Sequence, residues 1–186
     1  MPRVAPKQRL ASRALVYIEL FAGLLFAPLC SGADVSLEYS VKAAFLLNFT
    51  KFIEWPATAF ANQQAPFEIC ILGKDPFGGV IDQIVLGEMA GNRALIVRRL
   101  GEASVPQTCE LLYVGPELKD TAQTLSELPP GILTVGEGNR FLRAGGMIAF
   151  VIDDRRVRFD ISQGAAEKAG LKLSAKLLTV ARLVSR

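Results

Sequence analysis

A single-domain α/β fold is predicted by this 186-residue sequence: a mostly parallel sheet of about six strands with flanking helices and a C-terminal antiparallel hairpin. From Pro66 onward short apolar runs alternate with helix-like or turn segments, which is the pattern of a layered α/β domain. The last two apolar runs are separated only by a few residues around Asp154 and Arg155. That gap is too short for a parallel crossover, so the two must pair as a hairpin. No internal repeat, low-complexity stretch or long linker divides the chain.

At the N-terminus, Arg3, Lys7, Arg9 and Arg13 precede an apolar run from Ala14 to Leu29, and Ser31-Gly32-Ala33 offers small residues for cleavage. Residues 1–33 therefore read as a secretory signal peptide, with the exported mature domain over 34–186. Glu19 interrupts the run, which is too short to anchor the mature chain when a span needs about 20 apolar residues. Cys30 raises lipoprotein processing as an alternative, against which the bulky Leu29 before it argues. The full chain carries 21 Lys+Arg against 18 Asp+Glu, and the leader takes four of the bases and one of the acids. The mature part is left formally neutral, with 17 of each sign, so the basicity that would suggest nucleic acid as a partner leaves with the leader.

Residues 36–54 read as an amphipathic helix, with Val41, Phe45, Asn48 or Phe49, and Phe52 at three- and four-residue spacing. Trp55-Pro56 stops it near Glu54, because proline disfavours helical geometry in the residue before it. Strands are expected at 67–73, 94–100, 110–115, 131–136, 147–153 and 156–162, and helices at about 77–86, 117–127, 163–169 and 174–184. In the last strand Val157, Phe159 and Ile161 should face the core and Arg158 and Asp160 the other way.

Histidine is absent, which removes Ser-His-Asp and Cys-His nucleophilic sites and the usual zinc centres. No catalytic residue, metal ligand or cofactor site is expected. Glycine-rich turns after strands, Gly73 to Gly79 and Gly136 to Gly138, could offer backbone N–H groups to an anion, but neither has the spacing of a phosphate or dinucleotide loop. Asp75-Pro76 is better read as an N-cap followed by proline at the first helical position. Asp153 and Asp154 read as hairpin-turn residues beside Arg155 and Arg156. Phe45, Phe49, Phe52, Trp55 and Phe60 read as mostly core.

Cys70 and Cys109 remain after cleavage, and an even pair in an oxidising compartment is expected to be bonded. Cys70 lies in the first strand of the sheet and Cys109 at the start of the third, positions that adjacent strands can bring within disulfide reach. The alternative is two buried thiols that never meet.

Three stretches together, KAAFLLNFTKFIEWP (42–56), FEICILGKDPFG (67–78) and GGMIAFVIDDRRVRFDISQGAAEKAGLKLSAKLLTVARLV (145–184), resemble the YfiR family of periplasmic proteins. The resemblance implies a repressor that binds the periplasmic sensor region of an inner-membrane, GGDEF-type diguanylate cyclase and lowers cyclic di-GMP, biofilm and exopolysaccharide output. It also implies a capacity for homodimer formation and for redox response through cysteines. Here the C-terminal hairpin region carries no cysteine pair, so Cys70 with Cys109 reads as structural. Phe150, Asp160, Leu173 and Arg182 in the C-terminal motif are the candidates for the partner surface. The competing assignment puts Phe150 and Leu173 in the core and Asp160 and Arg182 on a solvated face. A periplasmic small-ligand-binding sensor component, suggested by the strand-end glycine turns, is the alternative function.

Overall fold

The structure, a computed structural model, describes Met1 and residues 32–101 and 108–186. Of the expected leader over 1–33, residues 2–31, with Cys30, lie outside the described residues. Residues 34–186 form one compact unit. Helix α1 (Gly32–Phe52) runs into the short strand β1 (Ile53–Glu54). There follow β2 (Phe67–Leu72), α2 (Gly79–Val85), β3 (Met89–Ala90), β4 (Arg93–Leu100), β5 (Leu111–Val114), α3 (Thr121–Ser126), β6 (Leu133–Glu137) and α4 (Gly138–Arg143). The C-terminal part holds β7 (Ile148–Asp153), β8 (Arg156–Ser162), α5 (Gln163–Lys168), β9 (Lys172–Leu173), α6 (Ala175–Val180) and β10 (Leu183–Ser185).

The main sheet has the order β10-β8-β7-β6-β5-β2-β4-β3, and β1 pairs separately with β9. Its centre, β4-β2-β5-β6-β7, is parallel throughout. That order reverses between β2 and β5, the arrangement of doubly wound open sheets, in which a crevice forms outside the carboxyl ends at the reversal. Here the crevice is closed: a Cβ on Gly115 would lie 3.2 Å from the Leu72 carbonyl and 3.1 Å from that of Lys74.

The six expected strands are all present; the runs of β2, β5 and β6 are buried where the sheet is covered on both faces, whereas β4, nearer the edge, buries only Leu95 and leaves Ile96 exposed. The two-residue period sorts them. Ile69, Ile71, Leu111, Tyr113, Val135, Phe150 and Phe159 face α1, α2, α5 and α6, whereas Cys70, Leu72, Leu112, Val114 and Ala149 face α3 and α4. Phe45 and Phe49 of α1 bring their rings to within 5.1–6.2 Å of those of Phe150 and Phe159 and of each other.

Four short strands were not expected, and two or three residues are too few to carry a period. The clearest correction is at the C-terminus. The helix expected over 174–184 ends at Val180, and Leu183–Ser185 instead pairs parallel with Asp160–Ser162. The Arg182 N–H donates to the Phe159 carbonyl at 2.9 Å, so β8 gains a neighbour that a longer helix would deny it. The second is α4, which follows β6 directly where only a glycine turn was read. The third is the buried stripe of α1: Val41 is exposed, while Lys42, Leu46, Phe49 and Thr50 point inward. Asp75 does cap its turn, accepting from the Phe77 N–H at 2.7 Å and the Gly78 N–H at 3.2 Å, but α2 begins only at Gly79, so Pro76 is not its first residue. The hairpin is as expected. Asp153 pairs with Arg156, and the two loop residues Asp154 and Arg155 have φ of 48° and 59°, the sign a twist-matched two-residue turn requires.

Phe141 fixes the geometry around α4. Its ring lies flat between two glycines: a Cβ on Gly136 would come within 2.5 Å of Cδ2, and one on Gly146 would collide with Cε1. Gly146→Ala is therefore expected to cost about 1–3 kcal/mol by overpacking. In a Phe141→Ala background the same substitution should cost little, and chemical denaturation of the four proteins of the cycle measures the difference.

Candidate functional site

The C-terminal motif divides into residues that reach the surface and residues beneath them. Phe150 is 1% exposed and packs between Phe45 and Phe49, and Asp160 is 0% exposed. Asp160 does leave the α1 face, as its strand position demands, yet it is not solvated. The Arg182 guanidinium closes over it, Nε donating to Oδ1 at 2.9 Å and Nη2 to Oδ2 at 2.5 Å. This two-pronged bond holds the turn between α6 and β10 against β8, and Arg182 itself remains about a third exposed. Leu173 is half-buried where β9 pairs with Ile53 of β1. Arg182 thus presents surface on the face away from α1, with Asp160 beneath it, whereas Leu173 is partly exposed on the α1 side, where Phe150 belongs to the buried core.

Cys70 and Cys109 are joined by a disulfide with Cα atoms 6.1 Å apart, linking β2 to the chain entering β5 on the α3/α4 face. Arg98 of β4 lies over it, with Nη2 3.5 Å from the Cys109 sulfur and a 2.7 Å ion pair to Glu68; it also donates to the Thr108 carbonyl. The Glu68 carboxylate stands within 4.8 Å of both sulfurs, but bonded sulfurs offer no thiolate to a metal. Nearby Glu110 is buried and accepts from the Glu68 N–H at 2.6 Å. Burial holds its carboxyl above the ordinary glutamate range.

A cluster that the sequence did not reveal lies at the carboxyl end of β6. Lys42, 2% exposed on the inner side of α1, donates to Glu137 Oε1 and Oε2 at 2.7 and 2.8 Å and to Glu38 Oε1 at 2.5 Å. The fully buried Tyr113 donates its hydroxyl to Glu137 Oε1 at 2.7 Å, and the Tyr39 ring lies 4.5 Å from the Lys42 ammonium. Burial works against the lysine charge, but the two carboxylates outweigh it and hold its pKa above the ordinary value. Burial, reinforced by the Glu137 charge, pushes the Tyr113 hydroxyl far up, and burial also raises Tyr39. The one sequence signal for this cluster was a lysine at a helix position flanked by apolar residues, which reads equally well as a surface charge.

A family model described as YfiR/HmsC-like matches residues 39–182, from Tyr39 of this cluster to Arg182 of the C-terminal tie. The chain belongs to the YfiR/HmsC-like family. No curated protein matches it. Membership suggests a periplasmic regulator of cyclic di-GMP signalling, in a family that is regulatory and not catalytic. No helix among the described residues is long and apolar enough to cross a membrane.

In this YfiR/HmsC-like domain the raised tyrosines and the raised lysine act in the same direction. Each keeps its proton in the fold at a pH where the unfolded chain releases it, so stability is lost as pH rises past about 10. Over residues 34–186 Tyr39 and Tyr113 are the two tyrosines, and a Tyr39→Phe variant leaves Tyr113 as the reporter. Its tyrosinate absorbance should appear only together with loss of circular dichroism. Ionisation near pH 10 in a chain that is still folded would contradict the geometry.

Proposed function

We propose that this protein is an exported regulator that binds the periplasmic sensor region of an inner-membrane, GGDEF-type diguanylate cyclase and holds it inactive. The match to the YfiR/HmsC-like family over residues 39–182 is the observation that carries this reading. A partner that binds the inactive cyclase state more tightly shifts the population by that difference in affinity, so the protein needs a shaped surface and no reactive group. The absence of histidine and the neutral charge of residues 34–186 agree with such a role.

For the contact surface we take the C-terminal motif, above all the β10 edge, where Arg182 lies over Asp160 beside the exposed Leu183, with Leu173 at β9 and the core residue Phe150 as its further members. Binding of the purified protein to the isolated periplasmic region of a GGDEF-type diguanylate cyclase from the same cell tests the proposal. Wild type should bind, and Leu183→Asp, at an exposed strand position, should weaken binding without lowering the melting temperature. Arg182→Lys, which gives up one prong of the bond to Asp160, should weaken it as well. Failure of the wild type to bind would remove the proposed function. Full binding by both variants would move the surface elsewhere and leave the function standing.

A further inference from the structure

Beside the buried cluster, the carboxyl ends of β5 and β6 open into a cavity of about 390 Å³. Its apolar wall is Val114, Leu118 and Phe141, and its charged groups are Glu137, Asp120 and Arg140. A volume of this order lies within the range of small-molecule sites, and the carboxyl ends of parallel strands are where open α/β sheets hold their ligands. The cavity lies at β5/β6, one strand from the β2/β5 reversal, with Gly115 in its lining.

Charge defines what the cavity accepts. Glu137 is the only one of the three charged residues with an ion-pair partner among the described residues, and it shares that lysine with Glu38. Asp120 and Arg140 have no ion-pair partner there, and Asp120 is set at the mouth by a left-handed backbone, φ 54°. The lining holds two carboxylates, Asp120 and Glu137, against one cation, Arg140, and Lys42 behind it is shared between Glu137 and Glu38. One negative charge is left uncompensated around an apolar floor.

We infer that this cavity is a binding site for a small organic ammonium compound with a compact apolar body, the ammonium lying between Asp120 and Glu137 and the apolar part against Val114, Leu118 and Phe141. The cluster behind the wall prearranges Glu137: Lys42 and Tyr113 fix its oxygens and spare the ligand the cost of ordering them. Arg140 disfavours a second positive charge, which restricts the class to monocations.

Phenethylamine is the probe, with phenylacetate and 2-phenylethanol as its acidic and neutral counterparts of similar size. Phenethylamine should raise the melting temperature in proportion to the logarithm of its concentration above the dissociation constant, and the other two should not. Ala122 lies exposed on the cavity rim, so Ala122→Trp should fill the opening and abolish the shift in a protein that melts like the wild type. Asp120→Asn should weaken binding about tenfold, the loss of one charge-assisted contact. No shift with phenethylamine overturns the proposal. An equal shift with all three compounds, or an undiminished shift in Ala122→Trp, does so as well.

Discussion

Lys42→Met should lower the unfolding free energy by about 2–4 kcal/mol, because it leaves Glu137 facing the buried Tyr113 and the apolar underside of α1 without its cation. The range sits below the 3–5 kcal/mol of a fully buried pair, since Glu38 and Glu137 keep 32% and 21% of their side-chain surface and are partly screened. Removing the stranded charge should recover part of the loss. Lys42→Met with Glu137→Gln is expected to be more stable than Lys42→Met alone, because a neutral amide can still accept from the Tyr113 hydroxyl. Urea denaturation of the two variants and the wild type reads both effects. A Lys42→Met protein within about 0.5 kcal/mol of wild type would show that the cluster is solvated and not structural.

The second large effect is at Cys70 and Cys109. The bond joins positions 39 residues apart, and releasing that loop gives the unfolded chain back conformational entropy worth about 4 kcal/mol, an upper value in the chain-entropy account. Cys70→Ala/Cys109→Ala should therefore unfold at clearly lower denaturant, and reductant should bring the wild type to the same midpoint. The mass of the unreduced protein should be two hydrogens below that of the reduced form. A midpoint indifferent to reductant would contradict the role assigned to the bond.

What the sequence disclosed follows from the range over which each signal acts. Strand runs such as FEICIL and RVRFDIS announce themselves because a face-covered sheet demands apolar residues in quantity, and their ends fell within two residues of expectation. The Asp154-Arg155 hairpin was legible because the chain has no room for anything else. The four two- or three-residue strands were not legible, for their pairing is decided by the neighbour each meets in space. β10 shows this best: AKLLTVARLV looks helical throughout, and only the open edge of β8 and the Asp160 carboxylate turn its last residues into a strand.

The site followed the same division. The disulfide could be anticipated because it needs only that two strands be adjacent. Asp160 was expected at the surface because a strand alternates, but the partner that buries it lies 22 residues further on. Lys42 meets Glu137 across 95 residues, and no spacing within a helix announces a contact of that kind. Phe141 could not be read as a structural wedge without the two glycines folded around it.

Cellular cyclic di-GMP, compared between wild-type cells, cells lacking this gene and cells given back either the whole chain or residues 34–186 alone, tests the regulator most directly. The level should rise on deletion and return when the whole chain, but not residues 34–186 alone, is restored. An unchanged level on deletion would contradict the account.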